Sequence, residues 1–360
     1  MKLSQVRKIL IVKLCCIGDV MFTTPLLRTL RKGFPEANLT YLVGEWSKQV
    51  IETNPHLNQT IIYNVPFEKS NWLIKIIKTL RFILKIRKEK FDLAINCHRS
   101  LSSSLFLFLS GIRYRVGFNW HHQGFALAKK IPFDYTKYEV ERYLDIARGL
   151  NLTPQDNYLE IGLKKEEREF AEELLKKLNL SENKLISVFP GGGKNPKTVM
   201  LSKKWIPERF ARLSDWISEK YKAKIIFLGG ESDKKIIQEI ISQMKTQPIN
   251  LAGKLTFRES AAAIEKSHLF IGGDSGLLYL AAAVGTPTIG LFGPSDPRLV
   301  APRGQKHIFI WKKIECSPCY VPQTVHKKEF LKCKDFKCME KITLDEVKNA
   351  VDSHWDKFAK

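Results

Sequence analysis

Apolar residues in this chain fall in short runs, each bounded by glycine, asparagine or charged residues. Lys8–Lys13, Asn38–Val43, Gln59–Tyr63, Phe91–Asn96 and Tyr114–Gly117 read as strands in the first half. Leu185–Phe189, Ala223–Leu228, Ile249–Leu251, Leu269–Ile271 and Thr288–Phe292 read as strands in the second. Runs this short and this apolar predict strands buried on both faces. Between them the apolar spacing lengthens to that of helices. Thr24–Arg31 begins one, with Pro25 in its first turn, where the missing N–H does no harm; Ile51–Pro55 closes another. Strand–helix alternation predicts an α/β fold with parallel sheets and helices on both faces. Leu163–Asn179 reads as a charged helix followed by polar residues. It sets an interdomain region at 166–184, between a first domain over 1–165 and a second over 185–342. Leu344–Phe358, within 343–360, reads as a closing helix expected to cross back onto the first domain.

The chemistry concentrates in Phe270–Pro297, which reads as strand, glycine-rich turn, small-residue helix, strand and second turn. Asp274, Ser275, Gly276 and Leu277 sit where the first of these strands hands over to the helix. Free backbone N–H groups and the positive end of the helix dipole there favour phosphate. The amides of Ser275, Gly276 and Leu277 are expected on the phosphates and the Asp274 carboxylate on sugar hydroxyls. Gly293–Asp296 opens a loop on the same sheet edge, so a ligand crevice is expected there. Near the N-terminus, Gly18 and Asp19 follow the first strand. Gly18 allows close approach of backbone to substrate. Asp19 is either a cap for the next helix or a base positioned to take a proton from a hydroxyl.

The opening Ile9–Leu27, the segment Val188–Gly193 followed by Lys203–Pro207, the turn Leu228–Glu231 and Phe270–Pro297 occur in one order across the chain. In that order they resemble glycosyltransferase family nine, the heptosyltransferase-like enzymes of bacterial surface-polysaccharide synthesis. The resemblance runs from about residue 9 to about residue 300. It implies a GT-B type fold, two doubly wound Rossmann-like domains facing across a cleft. The first would hold the acceptor and Asp19 as general base; the second would hold the sugar nucleotide, with ADP-heptose the expected donor. Gly191 and Gly192 would line the nucleotide site. Lys203, or Lys204 one residue on, would take the charge of the leaving diphosphate without a metal. Glu231 is expected either on ribose or adenine or as a helix cap. The family commonly has His where this chain has Tyr279, a departure that bears on the donor sugar.

Lys and Arg number 59 against 37 Asp and Glu, a net charge of +22. That balance favours anionic partners, and a phosphorylated glycolipid such as lipopolysaccharide core fits better than nucleic acid, for which no signature is present. A helix over Trp72–Lys90 carries Lys75, Lys78, Arg81, Lys85 and Lys88 at three- and four-residue steps. Its basic face is a candidate for anionic membrane or acceptor phosphates, and its Leu, Ile and Phe face is expected to pack on the first sheet. Arg99, Arg113, Arg115, His121 and Arg142 are further candidates for acceptor contacts, and Lys194 and Lys197 for donor phosphates. No run reaches the roughly 20 apolar residues of a membrane span, and no leader pattern precedes the first strand. The expectation is a cytoplasmic enzyme, peripheral at the inner face of the inner membrane.

Of seven cysteines, Cys15, Cys16 and Cys97 are expected to be reduced and structural. Cys316, Cys319, Cys333 and Cys338 have a spacing acceptable for zinc, although the chemistry needs no cofactor. Two alternatives stay open: a relative moving another sugar to a different surface glycan, and a non-catalytic protein binding anionic lipid or nucleic acid. The sequence does not set the oligomeric state.

Overall fold

β1 (Lys8–Val12) is buried from Ile9 onward, and the first sheet grows outward from it on both sides. The structure, a computed structural model, describes residues 5–192, 194–195, 198–321 and 329–358. β2 (Asn38–Val43), β3 (Gln59–Ile62), β4 (Leu93–Asn96), β5 (Tyr114–Asn119) and β6 (Lys129–Pro132) join it in a parallel sheet ordered β3-β2-β1-β4-β5-β6. Ile9 lies opposite Leu39 on one side and Leu93 on the other. Helices α1 (Ile17–Met21), α2 (Thr24–Gly33), α3 (Trp72–Lys88), α4 (Leu101–Leu109) and α5 (Glu139–Gly149) make the connections. α2 buries Leu26, Leu27 and Leu30, the face its spacing predicts, and packs against α5.

The second sheet repeats this plan. α6 (Lys165–Lys177) precedes β7 (Leu185–Phe189), the short hairpin of β8 (Lys194–Asn195) and β9 (Thr198–Val199), α7 (Pro207–Tyr221) and β10 (Lys224–Phe227). Then come α8 (Lys234–Ile241), β11 (Ile249–Asn250), α9 (Phe257–Glu265), β12 (Leu269–Gly273), α10 (Gly276–Ala283) and β13 (Thr288–Phe292). α11 (Pro297–Val300), β14 (His307–Trp311), α12 (Lys337–Glu340) and α13 (Leu344–Phe358) complete it. The order is β11-β10-β7-β12-β13-β14. In each sheet the winding direction reverses once, between β1 and β4 and between β7 and β12. At such a reversal the loops leaving the carboxyl ends of the strands diverge, which is where open α/β sheets bind ligands.

The chain divides into compact units Met1–Asn157 and Tyr158–Lys360. α6, from the region expected between domains, packs on α9 in the second unit, with Arg168 on Glu265 at 2.9 Å and Arg258 on Glu167. α13 buries Val347, Val351 and Trp355 in the core of that unit, and Trp355 stacks on Tyr221 of α7 with ring centroids 4.2 Å apart.

Three local outcomes differ from the pattern. β6 and β14, edge strands, were not legible: KKIP buries only Ile131, and HIFIW is partly exposed throughout. The helix expected to close at Ile51–Pro55 is a 3₁₀ turn over Glu45–Val50, after which the Asn54 side chain accepts the His56 amide. α3 buries only Ile83 and Ile86, with Phe82 partly covered, while Leu73, Ile77, Leu80 and Leu84 stay exposed. The helix carries two apolar stripes and the sheet covers one of them. Lys75 lies partly buried on the inward side, so the exposed basic ridge is Lys78, Arg81, Lys85 and Lys88.

Candidate active site

In the first unit the reversal between β1 and β4 gathers a charged cluster. Lys13, 4% exposed, directly follows β1, where an apolar strand meets the turn. Its ammonium lies 3.1 Å from Oδ2 of Asp19, whose side chain is 41% exposed, and 5.6 Å from the Tyr143 ring centroid. Asp19 is in the first turn of α1; Cys16 is the N-cap residue and makes no side-chain cap. Gly18 precedes Asp19, and its carbonyl accepts the Phe22 amide at 2.9 Å. The capping alternative for Asp19 therefore gives way to a carboxylate turned toward Lys13.

From the end of β4 come His98 and Arg99. Nε2 of His98 accepts the Leu14 amide at 2.8 Å, which fixes the proton on Nδ1. Burial, followed by Lys13, pushes His98 down to about 3, so its ring is neutral near pH 7. The guanidinium of Arg99 lies 4.7 Å from the Phe133 ring centroid. Burial acts to raise the Asp19 carboxyl, but Lys13, then Arg99 and His98, more than reverse it and hold it below the usual carboxylate range. The result is an ionised, solvent-reaching carboxylate braced by the buried Lys13 ammonium, with the Arg99 guanidinium also acting on it, the state a general base needs.

The other candidate acceptor contacts divide. Arg142 is 1% exposed, pairs with Glu139 and donates to the Asp134 and Tyr135 carbonyls at 2.8 Å each. It braces the loop before α5 and is not placed to meet a ligand. Arg115 donates to the Ala126 carbonyl at 2.6 Å and also ties a loop. Arg113 stacks near the Tyr114 ring, and exposed His121 meets the Tyr135 hydroxyl at 3.2 Å. Cys15 and Cys16 are bonded to each other, against the expectation that both are reduced, because the turn after β1 brings these neighbouring side chains together. Cys97 is a buried free thiol.

In the second unit the reversal lies between β7 and β12. After β7, Gly191 passes so close to the turn following β10 that a Cβ would fall 2.3 Å from Oδ1 of Asp233. Gly192 has φ +122°, a conformation only glycine adopts readily, and faces the Ser275 side chain. Ser275 caps α10, its hydroxyl accepting the Leu278 amide at 3.4 Å. The amides of Gly276 and Leu277 lie in the first turn of α10, where N–H groups lack intrahelical partners.

Asp274 is 5% exposed and its carboxylate accepts three bonds of 2.5 Å, from Lys203 Nζ, the Tyr279 hydroxyl and the Ser295 hydroxyl. Burial alone would raise this carboxyl; Lys203 and the hydrogen bonds outweigh it and hold it below the ordinary range. The anion expected beside Lys203 is thus supplied in part by the protein itself. The ammonium also stands 5.0 Å from the Tyr320 ring centroid. Lys203 ends a 3₁₀ turn over Leu201–Lys203; Lys204 follows, partly exposed, its amide on the Leu201 carbonyl at 3.1 Å. Glu231 opens the turn after β10 and pairs with Lys234 at 2.7 Å on the surface. Lys197 lies outside the described residues, as does the side chain of Lys194.

Lys13, Ser295, Tyr320 and Asp233 were not singled out from the sequence. A lysine closing a buried strand was the available signal for Lys13, and the loop Gly293–Asp296 for Ser295. Cys316, Cys319, Cys333 and Cys338 line one cavity of about 900 Å³. The zinc expectation is not supported, since among the described residues no group of three or more His, Cys, Asp or Glu is placed to hold a metal. Cys316 is exposed while Cys338 belongs to the apolar core, where burial pushes its thiol up to about 11.

Residues 79–329 match glycosyltransferase family 9 (heptosyltransferase). Lipopolysaccharide heptosyltransferase 3 of Escherichia coli is 27% identical over 306 residues, 82% of this chain and 86% of that protein. Lipopolysaccharide heptosyltransferase 2 of E. coli K12 is 26% identical over 314 residues, 83% and 86% of the two chains. The crystal structure of a family 9 glycosyltransferase from Veillonella parvula superposes with a TM-score of 0.82 at 26% identity over 98% of both chains. E. coli ADP-heptose lps heptosyltransferase II shares the fold, with a TM-score of 0.75 at 21% identity over 96% of this chain and 98% of its own. Two sheets of like winding, each with a charged cluster at its reversal, and a match over most of the length lead to one conclusion: the chain is a glycosyltransferase and belongs to family 9.

Proposed function

We propose that this enzyme transfers heptose from ADP-heptose to a lipopolysaccharide core acceptor with inversion at the anomeric carbon. The donor and acceptor classes are supported by the family 9 relatives, which are lipopolysaccharide heptosyltransferases. The observation that carries the chemistry is the half-exposed Asp19 carboxylate held ionised by buried Lys13. Asp19 takes the proton of the acceptor hydroxyl as its oxygen bonds to the anomeric carbon and the bond from that carbon to phosphate oxygen breaks. Lys203 and the first amides of α10 meet the diphosphate and stabilise the charge that grows on the leaving ADP. Asp274 positions Lys203; Glu231 is read on the ribose. The acceptor is anchored in lipid, so the enzyme works peripherally at the inner face of the inner membrane.

The test is a donor screen with deacylated lipopolysaccharide core as acceptor, reading ADP release and the mass added to the acceptor. ADP-heptose should give the product with one heptose added. Turnover with another sugar nucleotide and none with ADP-heptose would overturn ADP-heptose as the donor.

A further inference from the structure

Outside the charged clusters, the first unit leaves a large apolar surface uncovered. On α3, Leu73, Ile77, Leu80 and Leu84 recur at four- and three-residue steps and are each 50–58% exposed. On α4, Leu101, Leu105 and Phe108 repeat the same spacing, and they too are exposed. The helices touch beneath these stripes, where Phe82 and Phe106 stack with centroids 6.1 Å apart. Scattered exposed leucines are ordinary, but two neighbouring outward stripes mark an interaction surface. A surface helix that owed its stability only to the sheet would turn polar residues outward.

We infer that the exposed stripes of α3 and α4 insert into the acyl boundary of an anionic phospholipid bilayer. Charge decides the occupant. Lys78, Arg81, Lys85 and Lys88 form a ridge alongside the α3 stripe, and Lys78 is paired with Glu68 at 2.5 Å. Arg115 lies over the Phe108 ring at 5.2 Å. Apolar residues flanked by lysine and arginine are the pattern of a helix lying in a membrane interface, with the cations on lipid phosphates. Pairing this face with a second copy of itself would bring two such ridges together at distances where salt screens them little. The inference deepens the reading of a lipid-anchored acceptor: docking places the first unit where that acceptor resides.

Sedimentation with vesicles of phosphatidylcholine, alone or mixed with phosphatidylglycerol, tests it. The full chain should bind the mixed vesicles. The variant Ile77→Ser/Leu80→Ser/Leu84→Ser should lose roughly tenfold or more of that partition, since each residue withdraws buried apolar area. Lys78→Gln/Arg81→Gln/Lys85→Gln should lose a comparable factor, which added salt should reproduce in the unmodified chain. Equal vesicle binding by the serine variant would overturn the inference. So would a dimer in solution that the serine variant dissociates while vesicles are ignored. A readout that does not rely on those variants folding uses Trp72, which is 67% exposed. Lipids brominated on the acyl chain should quench it, and Trp72→Phe should remove that quenching; no Trp72-dependent quenching would also overturn the inference. Transfer to deacylated acceptor should be the same in the serine variant and the unmodified chain. Failure of that transfer in the unmodified chain counts against the proposed reaction and leaves the vesicle result to decide docking.

Discussion

Lys13 Nζ stands 3.1 Å from Asp19 Oδ2, and the two side chains differ in exposure, 5% against 41%. The cation is locked at the end of a buried strand while the carboxylate reaches solvent. That asymmetry suits a base: its partner holds it ionised from behind and leaves its face to the substrate.

Removing the base while keeping its shape is the first test of that arrangement. Asp19→Asn should lower turnover by ~10²–10⁴. ADP-heptose affinity, measured calorimetrically, should change little, because the donor contacts are assigned to the other unit. Full turnover in Asp19→Asn would reject the assignment.

The pH profile follows from the Lys13 pair. With the Asp19 carboxyl depressed, turnover should stay flat from neutrality down to below the usual carboxylate range. In Lys13→Met the largest lowering partner is gone, burial then raises the carboxyl, and the acid limb should move toward neutral pH. Lys13→Arg should keep the limb low. The sign for stability is the same: the pair's contribution is present above the unfolded carboxylate pKa and is lost as pH falls through the depressed one. An acid limb that stays put in Lys13→Met would show that Lys13 does not set it.

His98 is expected to be a structural acceptor. Pushed down to about 3, it should stay neutral across the range of about pH 5 to 8 where an ordinary histidine changes charge. Because the unfolded chain binds that proton more readily, this site should favour unfolding increasingly as pH falls below about 6.5. Imidazole NMR shifts report it directly; a midpoint near 6.5 for His98 would mean its bond to the Leu14 amide is not kept in solution.

In the second unit, Lys203→Ala should weaken donor binding and lower turnover, because a charge on the diphosphate matters most as the leaving group forms. It also strands the buried Asp274 carboxylate, so urea unfolding should register a loss of roughly 3–5 kcal/mol. Lys203→Ala/Asp274→Asn should recover much of the stability without recovering donor affinity. Lys204→Ala should do little in either assay; a larger effect there than at Lys203 would move the phosphate contact by one residue.

Arg142 separates bracing from binding. Arg142→Ala takes this ion-pair partner from Glu139, which is 7% exposed, and should cost about 3–5 kcal/mol in urea unfolding. Near-unchanged stability with weakened acceptor binding would restore Arg142 to the acceptor site.

The central strands were legible because burial on both faces leaves a continuous apolar run, as in β1, β7 and β13. β6 and β14 were not, since an edge strand packs on fewer neighbours and carries polar or exposed positions. At the site, Asp19, Asp274 and Lys203 stood out by their place after buried strands or beside a helix start. Their partners did not: the Lys203–Asp274 pair spans 71 positions, and the Ser295 bond to Asp274 spans 21. Long-range pairing is set by sheet order, which no local spacing encodes. For the same reason α3 looked amphipathic, with one face for the sheet, when its second apolar stripe was already present in the spacing of Leu73, Ile77, Leu80 and Leu84.

The most direct measurement is incubation of the purified chain with ADP-heptose and deacylated lipopolysaccharide core, following ADP release and the acceptor mass together. Heptosyl transfer predicts release of ADP in step with an acceptor heavier by one heptose, both dependent on Asp19. No mass gain, or ADP release that continues without acceptor and in Asp19→Asn, would contradict it.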